Sequence, residues 1–230
     1  MKYSANVRHR PLIDEGIELR FQRMVVVLQE LQAPWGLAAG KELDLPPVGA
    51  RLSTQAKFKG KLGSGLSGYV SIRYRAVSNL LDAASDDDFI VVEFDANKFD
   101  WRSFMSEAFP GYVRAIGAYI GRVDLWDEMP ATWRASTEIC KRVGKDLDGR
   151  DGLFRFGPIS YMDRELCRRG CNGLTPEQIV AQLTGVVPDV KLFEDGVLIV
   201  AAEHFPEQAE INATDHVIRN RLGLPIWAGE

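Results

Sequence analysis

Four stretches of this 230-residue chain hold residue types that do chemistry, and each lacks something its chemistry requires. Gly63-Ser-Gly65-Leu-Ser-Gly68-Tyr-Val70 matches the glycine-rich loop that covers nucleotide phosphates in protein kinases. That loop works with a lysine on the next strand, and no lysine lies between Lys61 and Lys98. The dinucleotide version needs a helix after the glycines, whereas Tyr69 to Tyr74 alternates as a strand does. A flexible Gly/Ser loop is the expectation there. Cys167 and Cys171, with His204 and His216, are zinc-ligand types, but eleven residues separate the histidines where finger-type sites have three to five. These cysteines read as semi-buried free thiols. Pro188-Asp189-Val190-Lys191 looks like a fragment of a restriction-endonuclease core, yet its two halves fall on the same residues and cannot span a metal. His9, His204 and His216 have no Ser or Cys partner at a recognisable nucleophile elbow. The expectation is a non-enzyme with no catalytic residue, no metal and no cofactor. The alternative is a small cytoplasmic enzyme with an unrecognised site.

Charge is more informative. The formal total is −4, from 28 basic and 32 acidic residues, which argues against a general nucleic-acid binder. Residues 1 to 75 carry 12 Lys and Arg against 6 acids; residues 76 to 107 carry 2 against 8. The near-neutral sum therefore conceals a basic first third and an acidic stretch that includes Asp86, Asp87 and Asp88. Acids sit beside tryptophans at Asp100-Trp101 and again at Trp126-Asp127-Glu128. One reading is a solvated acidic loop with core tryptophans. The other is an interface for a basic protein, in which carboxylates steer association and indoles supply contact area.

The elements that would position these residues form a mixed set. Phe21, Met24, Val25, Leu28 and Leu31 have amphipathic-helix spacing from Ile17, and Pro34 ends the helix. Residues 35 to 68 read as an irregular Gly/Pro-rich excursion. Strands are expected at Tyr69 to Tyr74, Phe89 to Phe94 and Leu153 to Tyr161, with short helices at Ala76 to Ala84 and Met162 to Arg169. Asp100 can cap a helix starting at Trp101, which Pro110-Gly111 breaks or re-aims. Thr175-Pro176-Glu177-Gln178 is a capping-box pattern. Val190 to Phe193 and Val197 to Ala202 flank Glu194-Asp195-Gly196 as a hairpin around an Asp-Gly turn, and a last helix runs from about Thr214 to Leu222. Strands and helices lack a βαβ rhythm, so the class is α+β: a single domain with a mixed or antiparallel sheet packed with several short helices. A boundary at residues 145 to 152 is less favoured than a turn within one domain.

The N-terminal residues lack the apolar run of a signal peptide, no segment approaches membrane-span length, and three cysteines suit a reduced compartment. A cytoplasmic protein without membrane or nucleic-acid partners is expected.

Several pieces together resemble the bacterial polymorphic-toxin immunity proteins of the immunity protein 52 family. They are the amphipathic helix running into Trp35-Gly36, the acid-rich stretch through Phe94, the block FGPISYMDRELCRRG from Phe156 to Gly170, and the closing Arg221-Leu222-Gly223-Leu224. The likeness spans most of the chain, and Gly60 to Gly68 departs from it as a local insertion. The resemblance implies an antitoxin that neutralises a cognate toxin delivered by contact-dependent or type VI secretion, usually one with a nuclease domain. On this reading Asp86, Asp87, Asp88, Trp101, Trp126, Asp127 and Glu128 are the contact candidates, and self-association is open.

Overall fold

The computed structural model describes residues 1–10, 16–45, 47, 53–73 and 87–227. The fold is α+β, and every strand pairing described below is antiparallel. The chain divides into two compact units, residues 1–118 and 119–230. The division does not fall at residues 145–152, which form a loop inside the second unit.

In the first unit the strands run in the order β2 (Ser53–Lys57), β3 (Ser67–Arg73), β4 (Asp88–Asp95), β1 (Lys2–His9). β1 and β2 were not expected from the sequence. Tyr3, Ala5 and Val7 on β1 lie opposite Phe94, Val92 and Ile90 on β4, so one face is apolar along both strands. Helix α1 (Ile17–Glu30) buries Ile17, Phe21, Met24 and Leu28, the expected stripe. Each such side chain contributes roughly 1.5–3 kcal/mol by leaving water. The expected helix at Ala76 to Ala84 lies outside the described residues.

After the Asp100 cap, whose carboxylate accepts the Ser103 N–H at 2.7 Å, α2 (Trp101–Ser103) continues through a π-helical turn (Phe104–Ala108) into α3 (Phe109–Ile116). The helical run continues across Pro110 rather than breaking there. A proline has no N–H to give and crowds the carbonyl four residues back. The π turn widens the backbone just before it, with the Phe109 N–H bonding the Phe104 carbonyl.

The excursion from residue 35 to 68 is tied down along its described part. Trp35 is buried among Phe94, Phe99 and Phe104, its indole N–H donates to Ser103 Oγ at 2.7 Å, and its carbonyl accepts from the Tyr112 hydroxyl at 2.9 Å. The glycine-rich segment is not a free loop: Gly63 N–H bonds Pro34 O at 2.9 Å, and Phe58 N–H bonds Gly68 O at 2.9 Å. A Cβ at Gly63 would strike Pro34. One at Gly68, whose φ is +130°, would strike the Val91 carbonyl. These glycines permit close backbone packing, and a strand follows them.

In the second unit the strand order is β5 (Ile120–Leu125), β6 (Ile159–Asp163), β8 (Gly196–Val200), β7 (Asp189–Phe193). Between β5 and β6 lie a 3₁₀ turn (Trp126–Glu128) and α4 (Met129–Val143). β5 and α4 were not anticipated. α5 (Arg164–Gly170) is capped by Asp163, and α6 (Pro176–Leu183) opens on Thr175 with both bonds of the capping box made. The β7–β8 hairpin forms as read, but its two-residue turn is Glu194-Asp195, with Glu194 at φ +50°, while Gly196 pairs with Phe193 inside the ladder. α7 (Gln208–Leu222) begins six residues before the expected start and ends at Gly223.

The expected strand at Leu153 to Tyr161 begins only at Ile159, because the preceding backbone is claimed by side chains. Arg219, buried on α7, donates to the carbonyls of Leu153 (2.8 Å), Phe154 (2.5 Å) and Pro225 (2.8 Å), while Asp215 accepts the Phe156 N–H at 2.7 Å. Asp215 and Arg219 pair with each other at 3.0 Å. A buried backbone carbonyl without a partner is costly, so this clamp substitutes for sheet pairing.

Candidate interaction surface

The acid run ahead of β4 faces inward where it is described. Asp87 is fully buried and lies 3.2 Å from Arg8 on β1. Asp88 pairs with Arg20 of α1 and also accepts the Arg73 N–H at 2.7 Å, while Arg20 reaches the Arg73 carbonyl at 3.0 Å. These carboxylates thus tie the start of β4 to the ends of β1 and β3, and Asp88 ties it to α1, with the basic first third supplying the counter-charges. Trp101 is 5% exposed and packs on Phe104. Asp87, Asp88 and Trp101 therefore occupy the interior of their unit rather than its surface, because paired charges and indoles can be buried together where lone charges cannot. Asp86 lies outside the described residues.

The segment Trp126-Asp127-Glu128 lies differently. It follows β5 directly, and on that strand Arg122 and Asp124 begin a largely enclosed charge network. Asp124 pairs with Arg122 at 2.7 Å and Arg155 at 3.0 Å, and Arg122 also holds Asp148 at 2.5 Å. Burial opposes ionisation of Asp124, but the two guanidiniums outweigh it and hold the carboxyl below its ordinary range. Asp148, at φ +62°, accepts the Phe154 N–H at 2.7 Å. In the turn that follows, Trp126 is 37% exposed, Asp127 is exposed and Glu128 half-buried.

α4 continues from this turn, and its inward stripe is Thr132, Ser136, Ile139, Cys140 and Val143, of which only the first two are fully buried. Its buried residues are Thr132 and Ser136, while Trp133, its largest apolar side chain, is 70% exposed. Trp133 was not among the sequence candidates. Nothing in its local pattern marks it: Trp133 is adjacent in sequence to the buried Thr132, and its exposure is set by the helix's rotation on its unit.

The remaining motifs resolve into structural roles. Cys167 and Cys171 are buried in the second unit's core beside Met162; burial pushes the Cys171 thiol up to about 12 and raises Cys167 further. His204 meets Glu210 at 3.1 Å on the surface, and Asp189 and Lys191 bond each other at 2.8 Å on exposed β7. Among the described residues no group of three or more His, Cys, Asp or Glu side chains could hold a metal ion. No described helix is long and apolar enough to cross a membrane.

The fold is α+β, and the turn into α4 is an exposed acid–aromatic element among the described residues. No family model matches the sequence, and no curated protein sequence matches it. Among solved structures its fold is similar to that of the Pseudomonas aeruginosa T6SS protein PA0821, with a TM-score of 0.54 and 14% identity, covering 96% of this chain and 72% of that one. At that identity the likeness is one of fold.

Proposed function

We propose that this chain is an immunity protein of a type VI effector–immunity pair, which neutralises a cognate toxin by direct protein–protein contact in the cytoplasm. The toxin is a nuclease, and the immunity protein itself catalyses nothing. The observation that carries this reading is the fold shared across nearly the whole chain with a protein named for the T6SS, the type VI secretion system. The resemblance of residues 156 to 170 and of the closing helix to immunity protein 52 points the same way. A nuclease must offer a basic groove to its substrate, and an exposed acidic element with indole contact area complements such a groove. Trp126, Asp127 and Glu128 are the contact residues kept from the sequence reading, since the carboxylates of Asp87 and Asp88 are occupied inside the fold.

Co-expression with the toxin encoded beside this gene is the test. Growth rescue together with co-purification of a stable complex supports the reading. A toxin that still kills, and that does not co-purify with this protein, overturns it.

A further inference from the structure

Asn172-Gly173, just past the end of α5, is a place where the backbone itself can react. Of the six asparagines in the sequence, Asn172 alone is followed by glycine. Glycine leaves its amide nitrogen unshielded and its backbone free to turn, so an Asn-Gly pair can cyclise. The Gly173 nitrogen attacks Asn172 Cγ, the Cγ–Nδ2 bond breaks, and ammonia leaves with the proton that the attacking nitrogen gives up. Water then opens the succinimide at either carbonyl, and position 172 becomes aspartate or isoaspartate. Both residues are exposed to the water that the reaction uses.

The fold engages both nitrogens of that reaction in other bonds. Asn172 takes the left-handed conformation, φ +52°, and the Gly173 N–H donates to the Arg168 carbonyl at 3.0 Å, the six-to-one bond of a Schellman cap on α5. The nitrogen that would attack is therefore the donor that closes the helix. Asn172 Nδ2, the leaving nitrogen, donates to the Gly223 carbonyl at 2.8 Å. Gly223 is the left-handed residue that ends α7, and Arg221 in the last turn of α7 reaches the Gln182 carbonyl at 2.9 Å. Asn172 thus ties the end of α7 to the end of α5, one turn beyond Arg219.

We propose that Asn172 is a spontaneous modification site, guarded in the folded chain by the α5 cap and the bond to Gly223, and that its deamidation permanently loosens the seating of α7. An asparagine side chain donates and accepts, whereas the carboxylate that replaces it only accepts. Facing the Gly223 carbonyl, it has no hydrogen to give. It also adds negative charge where the C-terminal ends of α5 and α7 meet, and both of those ends carry negative partial charge. Isoaspartate in addition inserts a carbon into the backbone of the cap. Ammonia is lost to solvent, so the change does not reverse, and it records each opening of this corner of the second unit that lasts long enough for the ring to close. The chemistry requires no partner and holds whatever this chain binds.

The test is peptide mapping by mass spectrometry on the full chain, kept in mildly alkaline buffer with its thiols reduced, either folded or in concentrated urea. In urea the tryptic peptide beginning at Gly170 should gain the mass difference between an amide and an acid faster than any other asparagine-containing peptide. In the folded chain the same conversion should run at least about tenfold more slowly, the factor that one guarding hydrogen bond supplies. Asn172→Asp makes the product directly and should lower the melting temperature by about 2–4 °C. Asn172→Gly, which keeps the left-handed turn and adds no charge, should lower it less. Equal rates in buffer and in urea would show that the fold guards nothing. No conversion of Asn172 in urea would remove the site, and an Asn172→Asp chain that melts with the wild type would remove the link to α7. Any of these results overturns the proposal.

Discussion

Asp87-Asp88 and Asp127-Glu128 are alike in composition, each a pair of adjacent acids where a strand meets irregular chain, yet the structure uses them in opposite ways. At the start of β4 the acids are enclosed by Arg8 and Arg20 and take part in holding the strands to α1. At the end of β5 the enclosed acid is Asp124, with Arg122 and Arg155, and the acids that follow on the turn are left outside or half-covered. What decides the role of a carboxylate is whether arginines from other elements arrive beside it. Net charge by segment registers the acids and the arginines separately and carries no record of their meeting.

Stability measurements separate the two cases. Asp88→Ala leaves Arg20 charged and buried and removes the acceptor of the Arg73 N–H, so urea unfolding should show a loss of about 3–5 kcal/mol. Asp88→Asn, which can still accept, should lose less. An Asp88→Ala variant as stable as wild type would mean that this acid is not the tie the structure makes it.

The second expectation concerns pH. The Asp124 carboxyl in the folded chain lies below its ordinary value of 3.8, so the folded state binds fewer protons than the unfolded state near that pH. Its contribution is therefore complete above about pH 4 and is lost as pH falls through the folded value. Asp124→Asn should flatten the acid limb of a urea-midpoint profile; an unchanged limb would place the acid sensitivity elsewhere.

Smaller effects are expected at the caps and at the surface. Thr175→Ala removes the hydroxyl of the capping box and should cost about 1 kcal/mol in the same assay. Asp127→Asn and Trp133→Ala should each change stability by no more than about 0.5 kcal/mol, since neither side chain is enclosed. A loss as large as that of Asp88→Ala at either position would erase the distinction between the two acid pairs.

Local signals were legible in the sequence. The capping box at Thr175, the cap at Asp100, the stripe of α1 and the β7–β8 hairpin are each written within a few consecutive residues. What escaped depends on partners far away or on an absent pattern. β1 alternates, but with small and polar residues such as Ala5, Ser4 and Asn6, so its signal is weak until β4 lies beside it. α4 gives a weak apolar stripe because Thr132 and Ser136 occupy its first inward positions and only Ile139, Cys140 and Val143 follow. Leu153 to Gly157 has strand-like composition, and only a charge on a helix 66 residues later explains why the strand starts beyond it. Of the candidate contacts, Trp126, Asp127 and Glu128 are exposed or half-buried, whereas Asp87, Asp88 and Trp101 are buried, and exposed Trp133 was missed together with its helix.

The Arg219 clamp also bears on how the polypeptide is made. Because the carbonyls of Leu153 and Phe154 are met by a guanidinium on α7, some 65 residues later in the chain, this part of the second unit is expected to close during synthesis only after α7 has emerged. Nascent chains stalled before Gln208 should therefore be cut by protease around residues 153–158, and chains from which α7 has emerged should resist that cleavage.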